Sequence, residues 1–417
     1  MSNSSERIKD FNTGRNPHFL ALKYAKMMDG AFGFFRGSCH LFYEDLSEFQ
    51  PFPDLTKAWI CGDLHLENFG CYRGSSHQVC YDIEDFDEAV IAPATWEISR
   101  TITSIYLAVE EFDLKEKVAN NLADLFFASY AKVINKGKPV GIKSRVIDSF
   151  IKEVIEESKK NKDLSKLTVV HENKRLLKIE KLAKDSKTAA LESDVKEKII
   201  DAVTVWLKQN NYKFFTVLDA ANRIAGTGSL GLDRYVILVR DDQQEEEEKK
   251  YFLLDMKSAM PSSLGIYTPL AQPEWRNDEA ERIETIQHGM QTIQPSFLDK
   301  APPFSRKITM ENKSFLLKEL QPESDRIKLK NFKENLEHLK EIIDAFAQIT
   351  ASAHLRIANR PGTSTTEELI SFFSQSKLWK KSLLDYSKNY VKTVRSQFDG
   401  FKTNPEITKF VNGQLEQ

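Results

Sequence analysis

Between Ile60 and Ala89 the sequence reads ICGDLHLENFGCYRGSSHQVCYDIEDFDEA. Asp63, His65 and Asn68 fall within six residues near its start, and five carboxylates occupy the seven positions 82–88. Oxygen donors gathered this densely suit a metal ion or a metal–nucleotide complex; a solvated acidic turn is the plainer alternative. NFGCY and VCYDI flank the turn-like RGSSHQ, so the stretch reads as a β-hairpin. A turn centred between Ser76 and His77 sets Asn68 opposite Asp85, and cross-strand Cβ atoms lie about 4.5–5.5 Å apart. Both side chains then reach one ion. An amide oxygen and a carboxylate oxygen are hard ligands, suited to Mg²⁺ with phosphate oxygens completing the shell. Asp63 and His65 also fit the Asp-x-His element of two-metal phosphoesterases. That class needs further His-bearing segments, and His18, His40, His77, His171, His288, His338 and His354 lie in no such context.

A second candidate element is RIAGTGSLGLDRYVILV, with Gly226, Gly228 and Gly231 in G-x-G-x-x-G spacing. A dinucleotide fold requires a helix after these glycines. Here RYVILV follows, which is strand chemistry, so the glycines join two strands. That is the arrangement of the kinase glycine-rich hairpin, which covers nucleotide phosphates. The next strand ends LLDMKSA and sets Lys257 where a kinase keeps its lysine for the α- and β-phosphates. The plain alternatives are a tight turn and a surface lysine. The helix that follows is expected to offer a carboxylate to Lys257; Glu279, four residues before Ile283 on the apolar stripe, is preferred, with Gln287 as a neutral substitute.

These elements need a scaffold. The chain has 417 residues, 41% hydrophobic and 29% charged, with net charge −2, enough for two or more lobes with real cores. The charge balance points to neither nucleic acid nor an anionic membrane surface. Four cysteines without a CxxC pair read as reduced residues. The segment MSNSSERIKD has no apolar signal core, and no apolar run approaches a membrane span, so a cytoplasmic protein is expected. ATWEISRTITSIYLAVEEF and SRVIDSFIKEVIEESKK carry helical periodicity. From about Tyr212 the texture turns β-rich: RYVILV, YFLLDMK and KITMENKSFLLKELQP read as strands, with RDDQQEEEEKK as a hairpin tip. The NDEAERIETIQHGMQTIQ segment between them reads as a helix presenting Ile283, Ile286, Met290 and Ile293. From Phe332 onward the pattern is helical again.

CGDLHLEN resembles the catalytic loop of aminoglycoside-phosphotransferase-like kinases, and EDFDEAVIAPATWEISR resembles their metal-binding segment and following helix. Cys61 departs from the usual histidine, and Glu97 stands where those enzymes often carry an aspartate. FGFFRGS, GDLHLENFG, DIEDFDEA, GTGSLG, DMKSA, ERIETIQHGMQ and ITASAHLRIANRPG together resemble the bacterial family known as domain of unknown function 2252, a member of the kinase-like superfamily. Ser258 is a departure, since an acidic residue is expected after the lysine. The resemblance implies an α+β, two-lobed kinase-like fold and an ATP- and Mg²⁺-dependent phosphotransferase. Asp63 would orient the acceptor and take its proton. Asn68 and Asp85 would hold the metal, and Lys257 would contact phosphates covered by Gly226, Gly228, Ser229 and Gly231. His65 would fix its loop, Asp87 would assist the metal or stay exposed, and Arg36 would form a structural ion pair. The partners would be a nucleotide and an unknown small-molecule or protein acceptor.

The order of parts differs from an ordinary kinase, because the catalytic elements at 63–85 precede the phosphate-covering ones at 226–257. Only about twenty-five residues separate Gly37 from the catalytic loop, too few for a nucleotide lobe. A circular permutation is therefore expected. Residues 1–211 and 326–417 would build the helical lobe and 212–325 the nucleotide lobe, with a linker near KELQPESD. Nucleotidyl transfer, a catalytically silent nucleotide-binding module and a metallophosphoesterase stand as alternatives.

Overall fold

The computed structural model describes residues 3–49, 54–73, 79–140, 163–172, 174–181, 183–246, 250–275, 278–293, 306–320 and 335–415. The expected helix SRVIDSFIKEVIEESKK and most of the KELQPESD linker lie outside these residues. The architecture is mixed α+β. No helix among the described residues is long and apolar enough to cross a membrane.

The largest core gathers around the helix Ala94–Glu111, whose residues from Ala94 to Val109 are all buried. A helix buried all round must settle its polar side chains internally. Thr101 and Thr103 do so by donating to the carbonyls of Glu97 and Ser99, both at 2.8 Å. This helix shares its core with Cys39–Phe49, Glu116–Lys136, Leu336–Ile357 and Lys380–Lys402, so segments from both ends of the chain build one unit. The hairpin Phe69–Arg73 with Val79–Ile83 rests on the same core. Phe69 stacks on Phe346 with centroids 3.9 Å apart and planes 7° from parallel. Tyr81 also lies parallel to Phe346, offset with centroids 6.1 Å apart.

The second unit is a six-stranded antiparallel sheet in the order Arg306–Met310, Lys313–Glu319, Tyr251–Ser258, Arg234–Asp241, Phe215–Arg223, Thr188–Ala189. The helix Ser193–Gln209 packs on it through Ile199, Val203, Trp206 and Leu207, against Ile237, Val239, Leu254 and Phe315. The textural change at Tyr212 therefore does not mark where this unit begins. Thr188–Ala189 is already an edge strand, and the amphipathic face of Ser193–Gln209 belongs to the sheet's core. The hairpin Thr168–His171 with Lys174–Leu177 also joins the sheet, through Leu177 against Ala221 and Leu253.

The helix Glu279–Met290 links the two units. Ile283, Ile286 and Met290 lie in the large core, while the Ala280 N–H donates to Ser314 Oγ on the sheet at 3.0 Å. Ile293, expected on the same face, lies beyond the helix end, where its carbonyl accepts from Tyr72 Oη at 2.7 Å.

Because Phe346 carries the hairpin from below, Phe346→Ala should cost about 3–5 kcal/mol of stability, the range for truncating a buried aromatic. Urea denaturation checks this, and a loss under 1 kcal/mol would mean the stack carries little.

Candidate active site

Gly62 sets the geometry of the acidic stretch. It lies at φ +88°, and a Cβ there would meet Glu88 O at 2.3 Å, so only glycine lets the chain pass. Its N–H donates to Glu97 Oε1 at 3.0 Å. Glu97 Oε2 in turn accepts from His354 Nε2 at 2.7 Å, and His354 Nδ1 is bonded to the Tyr130 hydroxyl. Glu97 and His354 are fully buried. An ionised Glu97 carboxylate can only accept, which places a proton on Nε2. Three helices thus fix the backbone just before Asp63.

Asp63 Oδ1 accepts from Arg100 Nε at 3.0 Å and from Arg100 Nη2 as well. Arg100 is fully buried, with its guanidinium carbon 4.0 Å from the Phe35 ring centroid and 5.4 Å from that of Phe42. Burial pushes the Asp63 carboxyl up from its ordinary value, and Arg100 opposes that shift. Asn68 Nδ2 donates to the Asp63 carbonyl, which leaves Oδ1 of that amide as the atom available to a cation. His65 is buried, with Nε2 3.1 Å from Arg36 Nε and Nδ1 3.1 Å from the Glu67 N–H. Arg36 also pairs with Glu67, so Arg36 and His65 brace the loop.

The hairpin register differs by one residue from the expected one. Phe69 pairs with Ile83 and Cys71 with Tyr81, and the Glu84 N–H donates to the Asn68 carbonyl at 3.0 Å. Asn68 therefore faces Glu84 rather than Asp85. The apolar pattern decides it: this register stands Phe69, Cys71, Tyr81 and Ile83, all buried, on the core face. Asp85 follows the ladder, in the connection toward Val90.

The five carboxylates divide by partner. Asp82 accepts from the N–H and hydroxyl of Thr292, both at 2.8 Å. Glu88 accepts from the Ser263 N–H at 2.7 Å and its hydroxyl at 2.9 Å. Glu84 is buried. Asp85 and Asp87 meet Lys257: Asp87 forms an ion pair with its ammonium, and Asp85 Oδ1 lies 3.9 Å away. Burial pulls the Lys257 ammonium down, but Asp85 and Asp87 outweigh it and the net shift is upward. Burial and the neighbouring Asp85 push the Asp87 carboxyl up, against Lys257.

The expected helix partner for Lys257 is corrected. Glu279 pairs with Arg282 of its own helix, and Lys257 takes its carboxylates from the acidic loop. Arg282, which the sequence did not single out, does different work. Buried at 4% exposure, it donates to the carbonyls of Ala89 at 2.7 Å, Asp87 at 2.8 Å and Met260 at 2.9 Å. It joins the acidic loop to the chain just beyond Lys257.

One cleft of about 900 Å³ collects these groups. Asp63, Asn68, Asp85 and Asp87 line one side, with Gly226, Gly228, Ser229 and Lys257 on the other. The glycines do join two adjacent antiparallel strands, Phe215–Arg223 and Arg234–Asp241; Gly231 belongs to the same loop but does not line the cleft. The sheet adds cations that the sequence reading passed over: Arg234, bound to Asp255 through two bonds at 2.8 and 2.6 Å, and Lys318, opposite Asp255 in the register. Burial, with Arg234 and Lys257 nearby, lowers the Lys318 ammonium.

Among the described residues no three His, Cys, Asp or Glu side chains converge as a metal cage. The donor set of Asn68 Oδ1 and the half-exposed Asp85 fits Mg²⁺ only if other oxygens complete its shell, and the cationic sheet face opposite fits anionic oxygens in that place.

Arg100→Met should cost about 2–3 kcal/mol at pH 7, somewhat less than for a fully buried pair, because it leaves the part-buried Asp63 carboxylate without its partner. Asp63 already has a raised carboxyl, so its ionisation penalty is absent below the unfolded pKa and complete above the folded one. The loss should therefore shrink toward pH 4, as urea melts at several pH values will report; a pH-independent loss would mean that Asp63 does not feel Arg100.

The family described as "Uncharacterized protein conserved in bacteria (DUF2252)" matches residues 15–404. No curated protein and no solved structure matches the chain. With nearly its whole length matched, the protein belongs to the DUF2252 family.

Proposed function

We propose that the protein is an ATP- and Mg²⁺-dependent phosphotransferase with a circularly permuted, kinase-like two-lobed fold. The observation that carries this reading is the ion pairing of Lys257 with Asp85 and Asp87, some 170 residues earlier in the chain, inside the cleft that the glycine loop also lines. The order of elements supports it. A strand, a glycine loop, a second strand, a third strand ending in lysine, a helix and two more strands follow one another as in a kinase nucleotide lobe. The separate cores of sheet and helices are then the two lobes, the helical one assembled from both chain ends.

Phosphoryl transfer asks a protein mainly for positioning and charge neutralisation. Asn68 and Asp85 would hold magnesium, which supplies positive charge at the phosphate oxygens. Lys257 exchanges its carboxylate partners for the α- and β-phosphates, with Arg234 and Lys318 adding positive potential behind it. Gly226, Gly228 and Ser229 cover the phosphates, and Gly231 closes their loop. Asp63, held at Oδ1 by Arg100, turns Oδ2 to the acceptor hydroxyl and takes its proton. A metallophosphoesterase would need convergent His and carboxylate ligands, which are absent among the described residues.

Lys257→Ala should weaken Mg–ATP binding about tenfold or more in calorimetry, because a charge-assisted contact is lost. Asp63→Asn should bind Mg–ATP nearly as before while turnover falls by about 10²–10⁴. Asp85→Asn should lose metal-dependent binding as well. Normal Mg–ATP affinity in both Lys257→Ala and Asp85→Asn would refute the site.

A further inference from the structure

The glycine loop is held from outside the sheet, by the chain's N-terminal segment. Arg15 Nη1 donates to the carbonyls of Gly228 at 2.7 Å and Leu230 at 2.8 Å. Lys23 Nζ donates to the same Gly228 carbonyl at 2.9 Å and to Asn12 Oδ1 at 2.8 Å. The Asn16 N–H donates to the Gly231 carbonyl at 3.1 Å. Lys23 has no exposed surface, and burial pushes its amine well below the ordinary lysine range. Charged or neutral, the amine has enough N–H groups for both acceptors.

Apolar contacts repeat the attachment. Leu22, from the helix Pro17–Met27, forms a small buried cluster with Ile224 and Leu230 at the two ends of the loop and with Ala189 of the edge strand. The two segments also pack tightly at Gly231, at φ +91°, where a Cβ would lie 2.9 Å from Arg15 Cβ. At the other end of the contact, a Cβ on Gly228 would lie 3.6 Å from Arg36 O and 3.9 Å from Asp63 Oδ2, so the held loop overhangs Asp63.

The peptide group is planar and trans, so its carbonyl and the following N–H point in opposite directions. Fixing the Gly228 carbonyl toward Arg15 and Lys23 therefore also fixes the N–H of Ser229, which lines the cleft, pointing the other way; the bond to the Leu230 carbonyl holds the far end of the loop. A loop with three glycines has much conformational freedom to lose on binding, and a loop ordered beforehand loses less. We propose that Arg15 and Lys23 are positioning residues that preset the glycine-loop backbone for an anionic polyphosphate, making residues 12–23 an integral part of the nucleotide site. The choice of polyphosphate rests on the function proposed above; the clamp itself rests on the contacts.

Hydrogen–deuterium exchange of peptides spanning 224–232 tests the clamp without any ligand, in the wild type, Arg15→Gln and Lys23→Met. Arg15→Gln alters a part-buried residue and keeps the test open should Lys23→Met fail to fold. Exchange in this loop should rise about tenfold while the central strands stay unchanged, and Mg–ATP affinity should fall about tenfold in the same variants, the scale for losing hydrogen bonds to a charged donor. Unchanged loop exchange overturns the clamp. Faster exchange with full Mg–ATP affinity overturns its role in binding. A wild type that binds no Mg–ATP removes the polyphosphate and the function proposed above, while the exchange contrast still decides whether the clamp exists.

Discussion

Opposed charge across one cleft organises this molecule. Lys257 closes one strand of a sheet, and Asp85 and Asp87, on a loop of the helical core, supply its counter-charge. A buried ammonium with no carboxylate would cost several kcal/mol, whereas the more exposed Asp85 and Asp87 gain less from the pairing. The two units meet here. Arg282 secures the meeting by donating to carbonyls on both sides of it. The helix that carries Arg282 has its apolar stripe in one core and its first turn bonded to the other.

Support for the site runs outward from that point in layers that differ in kind. Asp63 is fixed by a guanidinium boxed in aromatic rings. The backbone before it is fixed by a hydrogen-bonded relay through Glu97, His354 and Tyr130. The glycine loop is fixed from the N-terminal segment. Parts from residue 12 to residue 354 thus support one cleft.

Much of this was legible in the sequence, for identifiable reasons. Alternating apolar runs on either side of the glycines fix a strand–loop–strand reading, and the helical stripe of Ile283, Ile286 and Met290 is unambiguous. The acidic run was legible as a run but not in its division, because whether Asp82 meets Thr292 or Asp87 meets Lys257 depends on segments 170 to 210 residues away. The hairpin register was one residue out because turn composition alone does not centre a turn, whereas burial of Phe69 and Ile83 does. Arg282, Arg100 and Lys23 escaped notice for a shared reason. A cation on a helix is ordinarily solvated, and nothing local marks the one that is buried among carbonyls. Glu279 attracted attention by its place on the stripe, yet Arg282, one turn on, neutralises it.

On the function proposed above, the acidic loop and the cationic sheet face together hold a metal–polyphosphate, with neither half sufficient alone. Titrating Mn²⁺ into the protein while reading free Mn²⁺ by electron paramagnetic resonance tests it directly, first without nucleotide and then with a non-hydrolysable ATP analogue. The account predicts weak metal binding by the protein alone, since Asn68 and Asp85 leave most of the shell to other oxygens. Tight binding should appear only with the analogue, beyond what the analogue binds by itself. Tight Mn²⁺ binding without nucleotide, or no gain on adding it, would contradict the account.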